Sequence, residues 1–241
     1  MPTFDSPEPV LATIELFSGR LRISAGDRAD TTVEVRPTSP SRAADVKAAE
    51  QTEISYADGR LVVKSPRVTT RSLVGRDGSV DVTVDLPAGS RFDARATVGI
   101  SADGRIGDSN LRTAAGNVRL DHTAKLTVEV GTGDITVVRA DGPVRLGTAS
   151  GRITVDRARD DVDARTVAGG IRIGEVIRGS VVLHTTAGRI EVGIAEGTAA
   201  RLDVNSLSGR VHTDVGDPGT PGETVRVRAR AVTGDIRVRR A

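Results

Sequence analysis

The sequence predicts an all-β chain: a single β-solenoid, parallel β-helix-like, with about 17–19 residues per coil, preceded by an N-terminal antiparallel β module. Three observations predict it. A short phrase recurs from Thr97 to Val238: a small residue, Gly, a variable residue, Ile or Val, a polar residue, and another apolar one, as in Thr132-Gly133-Asp134-Ile135-Thr136-Val137 and Ser150-Gly151-Arg152-Ile153-Thr154-Val155. The marker glycines Gly99, Gly116, Gly133, Gly151, Gly169, Gly188, Gly209 and Gly234 lie 17, 17, 18, 18, 19, 21 and 25 residues apart, the regularity of a stacked repeat. Aromatic residues make up only 2% of the 241, so the interior must be built from Val, Ile, Leu and Ala, which suits thin layers.

The first 90 residues read as the β module and residues 91–241 as the repeats. Residues 1–9 form a Pro-rich lead-in. Val10 to Phe17 alternates apolar and polar residues, Ser18-Gly19-Arg20 turns the chain, and Leu21-Arg22-Ile23 answers, which predicts a hairpin. Thr32 to Val35 reads as a third strand, and Pro37-Thr38-Ser39-Pro40 breaks the pattern. Ala43 to Gln51 has helix formers without a breaker and predicts one short helix. Thr52 to Tyr56 and Arg60 to Lys64 predict a second hairpin around Ala57-Asp58-Gly59. Residues 65–79, with Pro, Gly, Ser and several charges, read as a flexible loop. Ser79 to Leu86 alternates cleanly, and Pro87-Ala88-Gly89 closes it.

In the repeats each marker phrase follows a second alternating segment, such as Leu126-x-Val128-x-Val130, Val144-x-Leu146, Val181-x-Leu183 or Leu202-x-Val204. Period-2 alternation places these apolar side chains on one face of each strand. One unit cannot bury that face alone; stacked units about 4.8 Å apart can. Gly at the marker fits a sharp bend that a Cβ would obstruct. Arg119, Thr136, Thr154, Arg172, Glu191, His212 and Arg237 should form an outward ladder in that order. The longer late spacings read as loop growth, with Gly216-Asp217-Pro218-Gly219-Thr220-Pro221-Gly222 as an inserted surface loop. Val238-Arg239-Arg240-Ala241 should end the last coil, its free edge shielded by Arg237, Arg239 and Arg240 or available for self-association.

These residues resemble a known family, the actinobacterial β-strand-repeat proteins of unknown function with adhesin-like labels. The resemblance is carried by Val82-Thr83-Val84-Asp85-Leu86-Pro87-Ala88-Gly89-Ser90, the Gly-x-Ile/Val-x-Val phrases, Ile177-Arg178-Gly179-Ser180-Val181-Val182-Leu183, Glu191 through Ala200, and Thr224 through Arg230 followed by Thr233-Gly234-Asp235-Ile236. It covers nearly the whole chain and implies the solenoid fold. It brings no catalytic residues to carry over.

The chemistry-bearing residues point away from catalysis. His122 is expected in a loop, and His184 and His212 point outward on different coils, without metal-ligand spacing. Asp156, Asp160, Asp161 and Asp163 are interleaved with Arg157, Arg159 and Arg165, which predicts a salt-bridged turn. Gly131-Thr132-Gly133 lacks the phosphate-loop Lys, and Gly147-Thr148-Ala149-Ser150-Gly151 places Ser one position late for a nucleophile elbow. No cofactor, metal or small-molecule substrate is implied. The chain has no Cys, so neither disulfides nor thiolate ligands are available. Lys plus Arg number 34 against 32 Asp plus Glu, a balance that argues against nucleic acid as a partner. No apolar run is long enough to span a membrane. The opening residues carry no basic or apolar signal region, and the expected location is cytoplasmic.

The function this predicts is a non-enzymatic structural or interaction scaffold with a protein partner or self-association through a solenoid end. Two alternatives stand beside it. One is a carbohydrate-active β-helix enzyme using the aspartate cluster. The other is a regulatory binder of an anionic partner through a C-terminal patch of Arg226, Arg228, Arg230, Arg237, Arg239 and Arg240.

Overall fold

The computed structural model describes residues 2–66, 78–216 and 222–241. The expected flexible loop at 65–79 and the insertion at 216–222 fall largely outside them. The chain divides into two compact units, Met1–Asn117 and Val118–Ala241.

The first unit holds β1 (Thr3–Asp5), β2 (Leu11–Leu16), β3 (Gly19–Gly26), β4 (Asp30–Pro37), α1 (Ala43–Glu50), β5 (Glu53–Ala57), β6 (Arg60–Lys64), β7 (Val80–Pro87), β8 (Arg91–Ala96), β9 (Ile100–Ile106) and β10 (Ser109–Ala115). Antiparallel pairs occur where the sequence placed the β module: β1 with β4, β4 with β7, and β5 with β6. The β5–β6 turn has positive φ at Asp58 and Gly59 (50° and 71°), the geometry a tight hairpin needs. The expected β2–β3 hairpin does not form. Both strands pair in parallel, β2 with β6 and β8, and β3 with β7 and β9, in different sheets. The physical reason is the pair of apolar faces. Ala12, Ile14 and Leu16 on β2, and Leu21, Ile23 and Ala25 on β3, are all buried. Folding Gly19 from one sheet to the other brings these faces together, whereas a flat hairpin would leave them side by side.

Helix α1 packs on β4 and β7. Asp45 in its first turn is buried. Its carboxylate accepts the backbone N–H groups of Ser39 (3.1 Å) and Ser79 (3.0 Å) and lies 3.5 Å from Arg42. A buried carboxylate is tolerated there because donors surround it.

The second unit holds β11 (Val118–Thr123), β12 (Leu126–Thr132), β13 (Ile135–Ala140), β14 (Val144–Ser150), β15 (Ile153–Ala158), β16 (Val162–Ala168), β17 (Ile171–Val176), β18 (Gly179–Ala187), β19 (Ile190–Ile194), β20 (Thr198–Ser208), β21 (Val211–Asp214), β22 (Glu223–Thr233) and β23 (Ile236–Arg240). Every strand pair in it is parallel. Even-numbered strands up to β18 form one layer and odd-numbered strands the facing layer, so successive strands cross the coil at each bend. Ile135, Ile153, Ile171, Ile190 and Ile236 lie one above another in the odd layer. Val144, Val162, Val181 and Val227 do so in the even layer. All nine are buried. Each side chain therefore rests on its equivalent one strand-spacing away, and this aliphatic column is the core.

The last two coils exchange places. The odd layer runs β17-β19-β23-β21 and the even layer β16-β18-β22-β20. The final stretch, β22–β23, is inserted between the coil of β18–β19 and the coil of β20–β21. The expected free edge at Val238–Ala241 is thus corrected: β23 is flanked by β19 and β21. The outward ladder correspondingly ends Glu191, Arg237, His212. β20 and β21 form the outer coil.

Candidate functional site

The corners show why glycine recurs. Gly151 has φ +148°, and a Cβ placed on it would sit 2.1 Å from the Gly133 carbonyl oxygen. The same approach repeats at Gly169 onto Gly151, Gly188 onto Gly169, Gly234 onto Gly188, and Gly209 onto Gly234, at 1.9 to 2.2 Å. In the first unit a Cβ on Gly116 would lie 2.4 Å from Gly99. Carbonyls of one corner occupy the space a side chain would need in the next. Gly99 and Gly209 do not have positive φ, so at Gly209 the close approach alone excludes a side chain.

A hydroxyl ladder supports these corners. Thr148 Oγ1 donates to the Gly133 carbonyl (3.1 Å), Thr166 to Gly151 (3.1 Å), Thr185 to Gly169 (2.9 Å), and Ser206 Oγ to Gly234 (2.8 Å). The first three are buried. These donors stand three residues before Gly151, Gly169, Gly188 and Gly209, a signal present in the sequence that periodicity of apolar residues overlooks. A buried hydroxyl without such a partner would be costly.

The outer coil departs from the others. Its inward residues Leu202, Val204 and Ser206 on β20 are half-buried. Val211 on β21 is 43% exposed, although Ile153 in the same column is fully buried. Leu207 is 84% exposed, and its neighbour Val232 on β22 is exposed too. Both strands have one neighbour, β22 or β23, and among the described residues nothing pairs with their other side. Beside β21 lies a recess of about 460 Å³ whose lining includes Arg189, Arg210, His212 and Arg237 with Asp235. The Asp235 carboxylate accepts the Arg210 backbone N–H at 2.9 Å and lies 4.0 Å from the Arg189 guanidinium.

The structure divides the arginine patch between two layers. Arg226, Arg228 and Arg230 are on β22, and Arg237, Arg239 and Arg240 on β23. Asp203 on β20 binds Arg230 at 2.7 Å and Arg228 at 3.2 Å. The Arg230 hydrogen bond, with help from Arg228, holds the Asp203 carboxyl below its usual range despite some loss of solvent. Arg240 donates to the carbonyls of Ala195 and Thr198, and Arg239 to that of Arg240. Arg226, Arg237 and Arg239 have no carboxylate partner among the described residues.

His122 lies on β11, not in a loop, because Leu120 and Thr123 continue the inward face past it. It bonds Asp141, which also accepts from Arg139 at 3.0 Å. Partial burial pushes the Asp141 carboxyl up, but the His122 and Arg139 contacts outweigh it and the carboxyl lies below its usual value. His184 and His212 are exposed. The aspartates expected in one salt-bridged turn are dispersed. Asp163 pairs with Arg165 and Arg145, and Asp161 accepts the Ser180 N–H at 2.7 Å. Arg157 pairs instead with Glu175, and Arg159 with Asp141. Only Asp163 with Arg165 keeps an ion pair of the expected cluster among the described residues; for Arg157 and Arg159 the carboxylate comes from the neighbouring coil, which parallel register sets beside them. Among the described residues no group of three or more His, Asp or Glu could hold a metal.

A stacked solenoid with a glycine corner, a hydroxyl ladder and an open outer coil defines a repeat scaffold. The profile of the Toastrack DUF4097 family matches residues 13–239, and the chain belongs to that family. Among solved structures it is similar to a "putative adhesin" from Bacteroides fragilis NCTC 9343. That match has 12% identity and a TM-score of 0.51, and covers 98% of this chain and 96% of the other. It is also similar to a "putative cell adhesion protein" from Clostridium sporogenes ATCC 15579, with 12% identity and a TM-score of 0.31, covering 100% and 98%. The Bacteroides likeness shows the fold. Comparison with the curated proteins returned no match.

Proposed function

We propose that the protein is a non-enzymatic interaction scaffold whose binding end is the outer coil, β20–β21. One observation carries the reading. The aliphatic column is sealed at Ile153 and left 43% exposed at Val211, where the stack stops. Exposed apolar surface beside unpaired strand edges is what a binding end presents. The "putative adhesin" label of the Bacteroides fragilis structure agrees with a binding role. The proposed location is the cytoplasm, tested by fractionating the producing cells.

A photo-crosslinking residue placed at Leu207 or Val211, in the cell that makes the protein, tests the binding end. Adducts should form at both positions, and far fewer at Thr154 on the outward ladder of an inner coil. Equal yields at all three would refute the assignment, whatever the captured partner is.

A further inference from the structure

We infer that the outer coil binds a second copy of this chain, with β20 pairing antiparallel to β20 of the partner about a two-fold axis at Leu202. This rests on the outer coil being the binding end and names what occupies it.

The length and composition of β20 make it a template. It has 11 residues, and its Thr198–Ser208 sequence contains no Pro, Lys or Gly to discourage pairing. Its inner face carries Ala200, Leu202 and Val204, all half-buried for want of a neighbouring coil. Its outer face carries Arg201, Asp203 and Asn205.

Symmetry then restricts the register. Opposed residues must share a face, because the two apolar faces have to meet in one interior. The axis must therefore pass through a residue, not between two. An axis at Arg201 sets Arg201 against itself, and one at Asp203 sets Asp203 against itself; like charges directly opposed are unfavourable. An axis at Leu202 sets Arg201 against the other copy's Asp203, twice. It also sets Ala200 against Val204 twice, Leu202 against itself, and Thr198 against Ser206. Self-complementarity of this kind is what an isologous contact requires.

The charges on β20 are already arranged for it. Asp203 is fixed by Arg228 and Arg230. Arg201 has no ion-pair partner among the described residues and stands opposite Arg226 in register. A cation beside a cation gains most from a carboxylate brought by another chain.

The chain contains no cysteine, so introduced ones report alone. Opposed residues of an antiparallel pair have Cα atoms about 4.5–5.5 Å apart, within disulfide reach. On mild oxidation, Leu202→Cys should give a covalent dimer and Asn205→Cys should not, since residue 205 faces Ala199. Light scattering across the micromolar range should show a dimer. Arg201→Asp should raise its dissociation constant about ten-fold or more, while Arg201→Lys should leave it nearly unchanged. Circular dichroism melts of each variant check that it is folded. A chain that stays monomeric overturns self-pairing; the crosslinks at Leu207 and Val211 then still decide whether the outer coil is a binding end. A dimer that ignores Arg201→Asp, or crosslinks equally at residues 202 and 205, overturns this register.

Discussion

Replacing Gly151 by alanine separates two reasons for glycine at the corners, when it is compared with Gly197→Ala in the same unit. Gly197 has φ +70°, with nothing within 4 Å of the place an alanine methyl would take, so alanine there costs only backbone strain, about 1–2 kcal/mol. Gly151 carries positive φ as well, but its Cβ would lie 2.1 Å from the Gly133 oxygen and 2.5 Å from its carbon. Ordinary contact needs about 3.4 Å or more, so the two corners must part by about 1 Å. Parting them stretches the bond of Thr148 to Gly133, already 3.1 Å. That hydroxyl bond at about 1 kcal/mol, added to the strain, gives a loss of about 2–3 kcal/mol. With a urea dependence of about 1–3 kcal/mol per molar, the Gly151→Ala midpoint should fall at least about 0.3 M below that of Gly197→Ala. Urea titrations followed by circular dichroism measure both. Coincident midpoints would show that carbonyl packing between corners is not what requires glycine.

Ile153→Ala should cost about 2–5 kcal/mol by cavity formation, and Val211→Ala about 1 kcal/mol or less because its side chain is already half in water; thermal melts compare them. Ile153→Asp should unfold or aggregate the protein, read by soluble yield and light scattering. Thr166→Val keeps the shape and removes the donor to Gly151, so it should lose about 1 kcal/mol in the same melts. Asp203 has a folded-state pKa below its unfolded value, so its contribution is complete above about pH 4 and is lost as pH falls through the lower folded value. Amide exchange on β20 should accelerate across that acid range, and Asp203→Asn should remove the transition.

The coil was legible because its signals are local. Ile135, Ile153, Ile171 and Ile190 stand at a constant offset from their glycines, and equal offsets mean equal positions in a stack. Helix α1 was legible for the same reason, as the helix formers of Ala43 to Glu50, free of Gly and Pro, are a local signal. The β2–β3 hairpin misled because Ser18-Gly19-Arg20 suits a turn within one sheet as well as a bend between two. Only the burial of both apolar faces decides between them, and burial is a property of the assembled coil. The aspartate turn misled similarly. Arg157 and Asp156 are adjacent in sequence, yet parallel register offers Arg157 a carboxylate at Glu175, 2.7 Å away. The arginines of β22 and β23 alternate in sequence as one patch, but the bend at Gly234 sends the two strands to opposite layers.

The order of the last coils shows what a repeated phrase cannot encode. Each coil offers nearly the same faces, so any coil could rest on any other, and chain order is not stacking order. Differences in polarity break the tie. In the second odd-layer position Val137, Val155, Ile173, Val192 and Val238 are apolar, and Thr213 on β21 is not. In the even layer β22 directs Val225, Val227, Ala229 and Ala231 inward, all buried, whereas β20 directs Leu202, Val204 and Ser206. Placing β20–β21 inside would bury Thr213 against the column and expose Val225, Val227, Ile236 and Val238. The observed order does the reverse, leaving the more polar coil at the end. The spacings of 21 and 25 residues at Gly209 and Gly234 follow, since a chain that lays down an outer coil and returns beneath it needs extra length at both crossings. Exchanging Thr213 for Val should therefore leave the fold intact and strengthen association through the end it enlarges, by the apolar area that one methyl adds. Weaker association in that variant would mean that the end coil is polar for solubility alone.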